Sequence, residues 1–487
     1  MTISFGSAGA QVSHANTVTP ALVGATGDLA ILQVLSGHPT DPVPTTPSGW
    51  TLVTSFSGGG GTFGASAGPR RLTWFARVLT GGDAAPTTAI PSGSTGSVIA
   101  GRVINLTRTA GTGWRWAASL GEDTVSGTGF SVPGGTALSW KPGDFAVLGY
   151  AVASNADSYT AEAITAAGIT FGTVTERADA AITTGNGVTG ALATCSVTSG
   201  AATQTPTIAA TLAVASVGVA GALRVREASS SLAATAQSVF PPRNLVSATG
   251  LTADDIVTAT LYRQVGTDLT AVRAASDIDV TGQSSLLRVD AEQPLGVSMS
   301  YAAVLTDLYG QQWTIYSGSI TSTVTSDVIS DAIRGVGAAV KIESPLGWKR
   351  DRAATQFNVN GRIIVVGRPR SAPSSTITVR TETDADGDAL NDILDHATEG
   401  TILLRKQASL PRLDGTYALL DDNEDPTWYD QYRWFQLNVV RSDDWPDVLE
   451  AAGYTLADIA ANFSTLGDIA AFFTGSLLTI ALYDFGP

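Results

Sequence analysis

Residues 27–32 read "GDLAIL" within the longer run "ALVGATGDLAILQV" (21–34), and residues 137–150 repeat the phrase as "ALSWKPGDFAVLGY". Gly27 and Asp28 answer to Gly143 and Asp144, and Leu29 to Leu32 answer to Phe145 to Leu148. A Gly-Asp pair ahead of an apolar run is turn chemistry that feeds a buried strand. The glycine takes a positive φ, and the carboxylate bonds nearby backbone N–H groups. The echo continues in order. "GWTLVTSF" (49–56) resembles "GITFGTVT" (168–175), "LTWFARV" (72–78) falls opposite "LATCSV" (192–197), and "SVIAGRVINL" (97–106) falls opposite "SVGVAGALRV" (216–225). A sheet built from one copy leaves a face uncovered, and two sheets packed face to face cover it. The expectation is a duplicated β-sandwich over residues 1–228.

Composition widens this to the whole chain. With 487 residues and 52 glycines, many β-branched apolar residues and helical periodicity only in the last third, the chain reads as a mainly β, multi-domain protein. Its net charge is −15 and it has only four lysines, Lys141, Lys341, Lys349 and Lys406, so specific nucleic-acid binding is not expected. The single cysteine, Cys195, rules out an intrachain disulfide and a cysteine-based zinc site. The N-terminus lacks the charged and apolar regions of a secretory signal, which points to folding in the cytoplasm. The apolar stretch from Leu212 to Leu223 is too short to cross a bilayer and reads as a buried strand, so no membrane partner is expected. No cofactor motif stands out.

The second half divides by composition. Residues 229–242, ending in Pro-Pro, read as a Ser/Ala-rich linker. Residues 243–327 alternate as the strands of a small sandwich do, in a pattern like fibronectin type III or immunoglobulin modules, with Tyr301 and Trp313 as core aromatics. Residues 328–446 alternate strands with one helix in "DADGDALNDILDHATEG", whose Leu390, Ile393 and Leu394 share a face. Residues 447–487 contain "TLADIAANF" and "TLGDIAAFF", two short capped helical turns too apolar and small to stand alone, hence a docking segment.

The blocks "VNGRIIVVGRPRSAPSSTITVRTETDADGDALNDIL", "GTILLRKQ" and "YRWFQLNVVRSDDWPD", with the repeated terminal motif, resemble minor tail proteins of long-tailed bacteriophages that infect actinobacteria. The resemblance implies that residues 328–446 form the split β-barrel with helix of tail-tube and distal-tail proteins. It implies that residues 1–228 form the sandwich such proteins carry at one end. It further implies a virion structural protein of the distal tail, present as a trimer or hexamer with other tail proteins and helping host attachment, without catalytic residues. The alternative is a tail-associated hydrolase of cell-wall glycan.

Several constellations bear on chemistry. Asp384, Asp386, Asp388 and Asp395 have the ligand spacing of a calcium loop, but the sharp-turn glycine sits too early and a strand precedes the segment. An acidic helix N-terminus is the simpler reading, and no metal is expected. Three histidines, His14, His38 and His396, accompany no nucleophile signature. The acidic pairs Glu122-Asp123 and Asp421-Asp422 read as solvated loops, so no catalytic residues are assigned. The glycine-rich run "SGGGGTFGASAGPRR" (57–71) lacks a phosphate-loop ending and reads as a flexible hairpin loop that displays Phe63. Trp114 and Trp116 share one face of a strand, with Arg115 on the other. The pair suits a host-glycan or protein contact, or else a core. Trp114, Trp116 and Phe63 are therefore the candidate contact residues.

Overall fold

The computed structural model describes residues 3–442 apart from 93, 110–112, 157, 323, 332–333, 344–348, 351–353, 360–361, 368–372, 398–399, 408–414, 420–426 and 430–431. The C-terminal docking segment and the pair Asp421-Asp422 lie outside the described residues. The chain is mainly β and falls into two compact units, residues 1–230 with 253–255, and residues 231–252 with 256–487.

In the first unit one sheet runs in the order Ile3–Ala8, Val98–Arg108, Leu29–Gly37, Arg70–Val78, Thr51–Gly58. A second contains the order Trp114–Pro133, Thr207–Glu227, Phe145–Val152, Val188–Ser199, Thr175–Ile182. These are the same five-strand arrangement written twice. Leu29 pairs with Leu106 as Phe145 pairs with Val225. Even the β-bulge recurs, between Leu52 and Thr54 in one copy and between Glu176 and Ala178 in the other.

The inner faces share one core. Leu29, Ile31, Leu72 and Trp74 of one sheet meet Phe145, Val147, Leu192 and Leu223 of the other. The outer face of the first sheet is covered as well, with Ala30, Leu32 and Val34 packed among Val18, Trp50 and Ile90. Burial on both faces explains why "LAIL" and "FAVL" are continuous apolar runs rather than alternating ones.

The two copies face each other about an approximate twofold. Arg177 of one edge strand stacks over Phe5 of the other sheet's edge at 4.4 Å, and at the opposite edge the Gly59 N–H donates to Glu122. The structure corrects two of the sequence alignments. Thr51–Gly58 corresponds to Thr175–Ile182, not to 168–175, and Trp74 rather than Leu72 corresponds to Leu192. Any strand flanked by glycine produces similar local strings, and only the pairing register fixes equivalence.

The second unit begins earlier than composition suggested. Ser231–Ala236, read as linker, is a strand paired in register with Asn244–Thr249. Its run of small residues around Leu232 is too weakly apolar to announce a strand, yet Leu232 and Ala234 face the core. With Ser285–Asp290 these strands form a three-stranded sheet. It shares a core with the sheet of Asp268–Ala271, Ile256–Val265, Ser298–Asp307 and Gln312–Tyr316. Tyr301 is fully buried there and Trp313 packs partly buried against the same core.

Further along, six antiparallel strands pair in a ring: Ser374–Thr381, Val336–Ile342, Asp327–Asp331, Thr401–Arg405, Gly415–Leu419 and Tyr432–Ser442, which returns to Ser374–Thr381. The join between Val336–Ile342 and Ser374–Thr381 is short, Lys341 opposite Arg380 and Ile342 opposite Val379. The strands Ala354–Val359 and Arg362–Gly367, inserted at that join, pair with each other in a separate hairpin. The helix Asp384–His396 is capped by Thr383, whose hydroxyl accepts from the Asp386 N–H at 3.1 Å. It buries Leu390 and Ile393 against Ile329, Val340 and Phe435 inside the ring.

Candidate functional site

The Gly-Asp turn is the first built feature. Gly27 and Gly143 have φ of 90° and 92°, a region that disfavours side chains. Asp28 Oδ2 accepts the Ala25 N–H and Asp144 Oδ2 the Lys141 N–H, both at 2.8 Å. Each turn is pinned to the neighbouring strand end, with Gly27 N–H to Leu79 O at 2.8 Å and Gly143 N–H to Val197 O at 3.0 Å.

Trp114 closes on the first of these turns. Its indole N–H donates to the Gly27 carbonyl at 2.9 Å, Arg108 stacks over its ring at 5.2 Å, and it is only 3% exposed. Trp116 is half-buried against the same core, and Arg115 on the opposite face is itself buried. The structure therefore places the Trp114 indole inside the sandwich and leaves that of Trp116 partly exposed at its margin.

Phe63 is only partly displayed. It is half-buried under the guanidinium of Arg70, 5.0 Å from the ring centroid. Arg70 is fully buried and organises the glycine-rich run. Its five N–H groups reach the carbonyls of Gly187, Ala67, Pro69, Gly64 and Asn186 at 2.7–3.0 Å. Desolvation pulls its pKa down to about 10, which leaves it charged at neutral pH. A Cβ on Gly58 would stand 2.4 Å from Glu122 Cβ, and one on Gly60 2.9 Å from the Thr124 carbonyl. The glycines thus serve close packing of an ordered loop rather than flexibility.

The acidic segment 384–388 is already helical from Asp384. Arg433 binds Asp388 at 2.6 Å and Asp384 at 3.1 Å, so these carboxylates are held to a strand. His38 is buried, with Nδ1 against the Thr40 hydroxyl at 2.9 Å. His396 lies at the helix end and contacts Asp392.

Among the described residues, one cluster of buried charge was not legible in the sequence. Arg226 forks onto Asp144 at 2.6 and 2.8 Å and reaches Asp255 at 2.6 Å. Arg224 and Lys141 also bind Asp255, at 3.0 and 2.5 Å. Burial favours the uncharged form of Arg226, yet the hydrogen bonds and charges of Asp144 and Asp255 raise its pKa. Asp254 accepts the Ser229 and Ser230 N–H groups alongside. The available signal was "ALRVRE", two arginines two residues apart on one face of an otherwise apolar strand. Such residues are seldom buried unless paired.

These arrangements fix loops and strand ends and share the character of structural clamps. No protein-family model matches the chain, and no curated protein matches it.

Proposed function

We propose that the chain is a structural minor tail protein of a bacteriophage tail tip, assembled as a trimer or hexamer with other tail proteins and aiding attachment to the host surface. What supports this is the ring of six antiparallel strands with one helix packed against it. The ring lies in the segment that carries the sequence resemblance and follows modules of face-to-face sheets. On this reading the ring is a tail-tube-like split barrel, residues 231–322 are a fibronectin or immunoglobulin-like sandwich, and residues 1–230 are an adhesin-like module. Made in the host cytoplasm, the protein travels in the virion. Repetition around a ring turns weak surface contacts into adhesion.

Mass spectrometry of purified particles, with gold-labelled antibody on intact tails, tests the proposal. The chain is expected in the particle and at the distal tail, and its absence from particles overturns the reading. Release of reducing sugar from cell wall by the purified chain would favour the hydrolase instead.

A further inference from the structure

The six-stranded sheet of the 231–322 module that contains Ile256–Val265, Ser298–Asp307 and Gln312–Tyr316 buries one face, with Leu261, Tyr301 and Leu305 in its core. Side-chain alternation sends the neighbouring positions the other way, toward solvent. There the register aligns Tyr262, Ala302 and Tyr316 in one row across three strands, and Thr260, Val304 and Thr314 in the next. Tyr316 is 63% exposed and Tyr262 half-buried. Ala302, between them in the row, is only 1% exposed.

We propose that this face binds a neutral, extended, β-1,4-linked polysaccharide, with Tyr262 and Tyr316 stacked on alternate sugar rings. Two strand spacings set the tyrosines ~9.6 Å apart. That is close to one disaccharide of an extended β-1,4-linked chain, in which alternate rings present the same apolar C–H face. The electron-rich face of an aromatic ring attracts such C–H groups. Chains with α-1,4 linkages curl and do not keep this spacing.

The surrounding chemistry fits a sugar better than a charged polymer. The chain carries −15 overall, yet neither row holds an acid or a lysine or arginine. Thr314 offers an exposed hydroxyl that donates and accepts, while the Thr260 hydroxyl donates to Asp277 at 3.3 Å and accepts its N–H at 2.9 Å, which sets the Asp277 carboxylate as an acceptor at the rim. A nucleic acid would require cations that this face lacks.

The inference goes beyond the tail assignment and does not rest on it, so a negative result here leaves the particle test untouched. Calorimetric titration of the full chain with β-1,4-linked N-acetylglucosamine hexasaccharide, and with maltohexaose, tests it. The β-linked sugar is expected to bind. Tyr316→Ala and Tyr262→Ala are each expected to weaken it by about tenfold, while Tyr316→Trp retains it. Because Tyr316 is exposed, its variants keep the fold, which thermal melting checks. No binding of the β-linked sugar, equal binding of maltohexaose, or undiminished binding by Tyr316→Ala overturns the proposal.

Discussion

Asp28 accepts the Ala25 amide and the Asn105 side chain, whereas Asp144 accepts the Lys141 amide and the Arg226 guanidinium. One turn is neutral on its partner side and the other carries a buried charge, so equal substitutions have unequal effects. Asp28→Asn is expected to cost about 1 kcal/mol in urea denaturation, and Asp144→Asn about 3–5 kcal/mol, because Arg226 is left partly uncompensated. Equal losses would contradict the assignment. The same cluster carries pH dependence. Burial alone would raise the Asp255 carboxyl, but Arg226, Lys141 and Arg224 together hold it below the usual carboxylate range. Its folded pKa is then lower than the unfolded one. The stabilisation is complete above about pH 4 and is lost as pH falls through the folded value. Asp255→Asn is therefore expected to shrink the stability difference between pH 7 and pH 3, and an unchanged difference would count against the network. Cys195 is 3% exposed and desolvation pushes its thiol up to about 12. It is expected to resist thiol reagents in the native chain and to react fully in guanidinium. The turn role of Gly27-Asp28 was legible in the sequence because turn chemistry is local. The Asp144–Arg226–Asp255 clamp was not, because its members lie far apart in the chain and meet only once strands pair.

At the scale of elements, the duplication leaves a mark where equivalent strands cross. Gln33 and Gly149 hold the same position in the two copies and meet in the core. A Cβ on Gly149 would lie 3.0 Å from Gln33 Nε2 and 2.6 Å from Trp74 Cζ2. The residue equivalent to Trp74 is the smaller Leu192. Two identical copies cannot fill this space, so one supplies bulk and the other its absence. Gly149→Ala is expected to destabilise by about 1–3 kcal/mol through overpacking. Trp74→Leu in the same chain is expected to recover about 1 kcal/mol as a coupling term in a double-mutant cycle. Strict additivity would show that the two positions do not share the space. Strand existence was readable from apolar runs such as "LAIL", since burial on both faces leaves a continuous signal. Ser231–Ala236 escaped because an edge strand of small residues needs little apolar surface, and the glycine run at 57–61 reads as slack until its close neighbours are seen.

For the whole molecule, a mainly β, multi-domain chain was visible in its glycine content, alternation and echoes. Which strands close the ring was not, because register is decided by pairing between segments far apart. The candidate contacts fared differently. Trp114 is conspicuous in the sequence yet packs inward, since large aromatic surface is most readily placed in a core, whereas Trp116 and Phe63 are half-buried. The aromatic row of Tyr262 and Tyr316 is assembled from two strands and could not be read from spacing along one. The central claim is that these modules are built to be held by neighbours in a tail. The most direct measurement is a cryo-microscopy map of the intact tail tip. Copies of this chain related by threefold or sixfold symmetry, each with its six-strand ring resolved, are the expected result, and a tip whose density is fully explained by other proteins would contradict it.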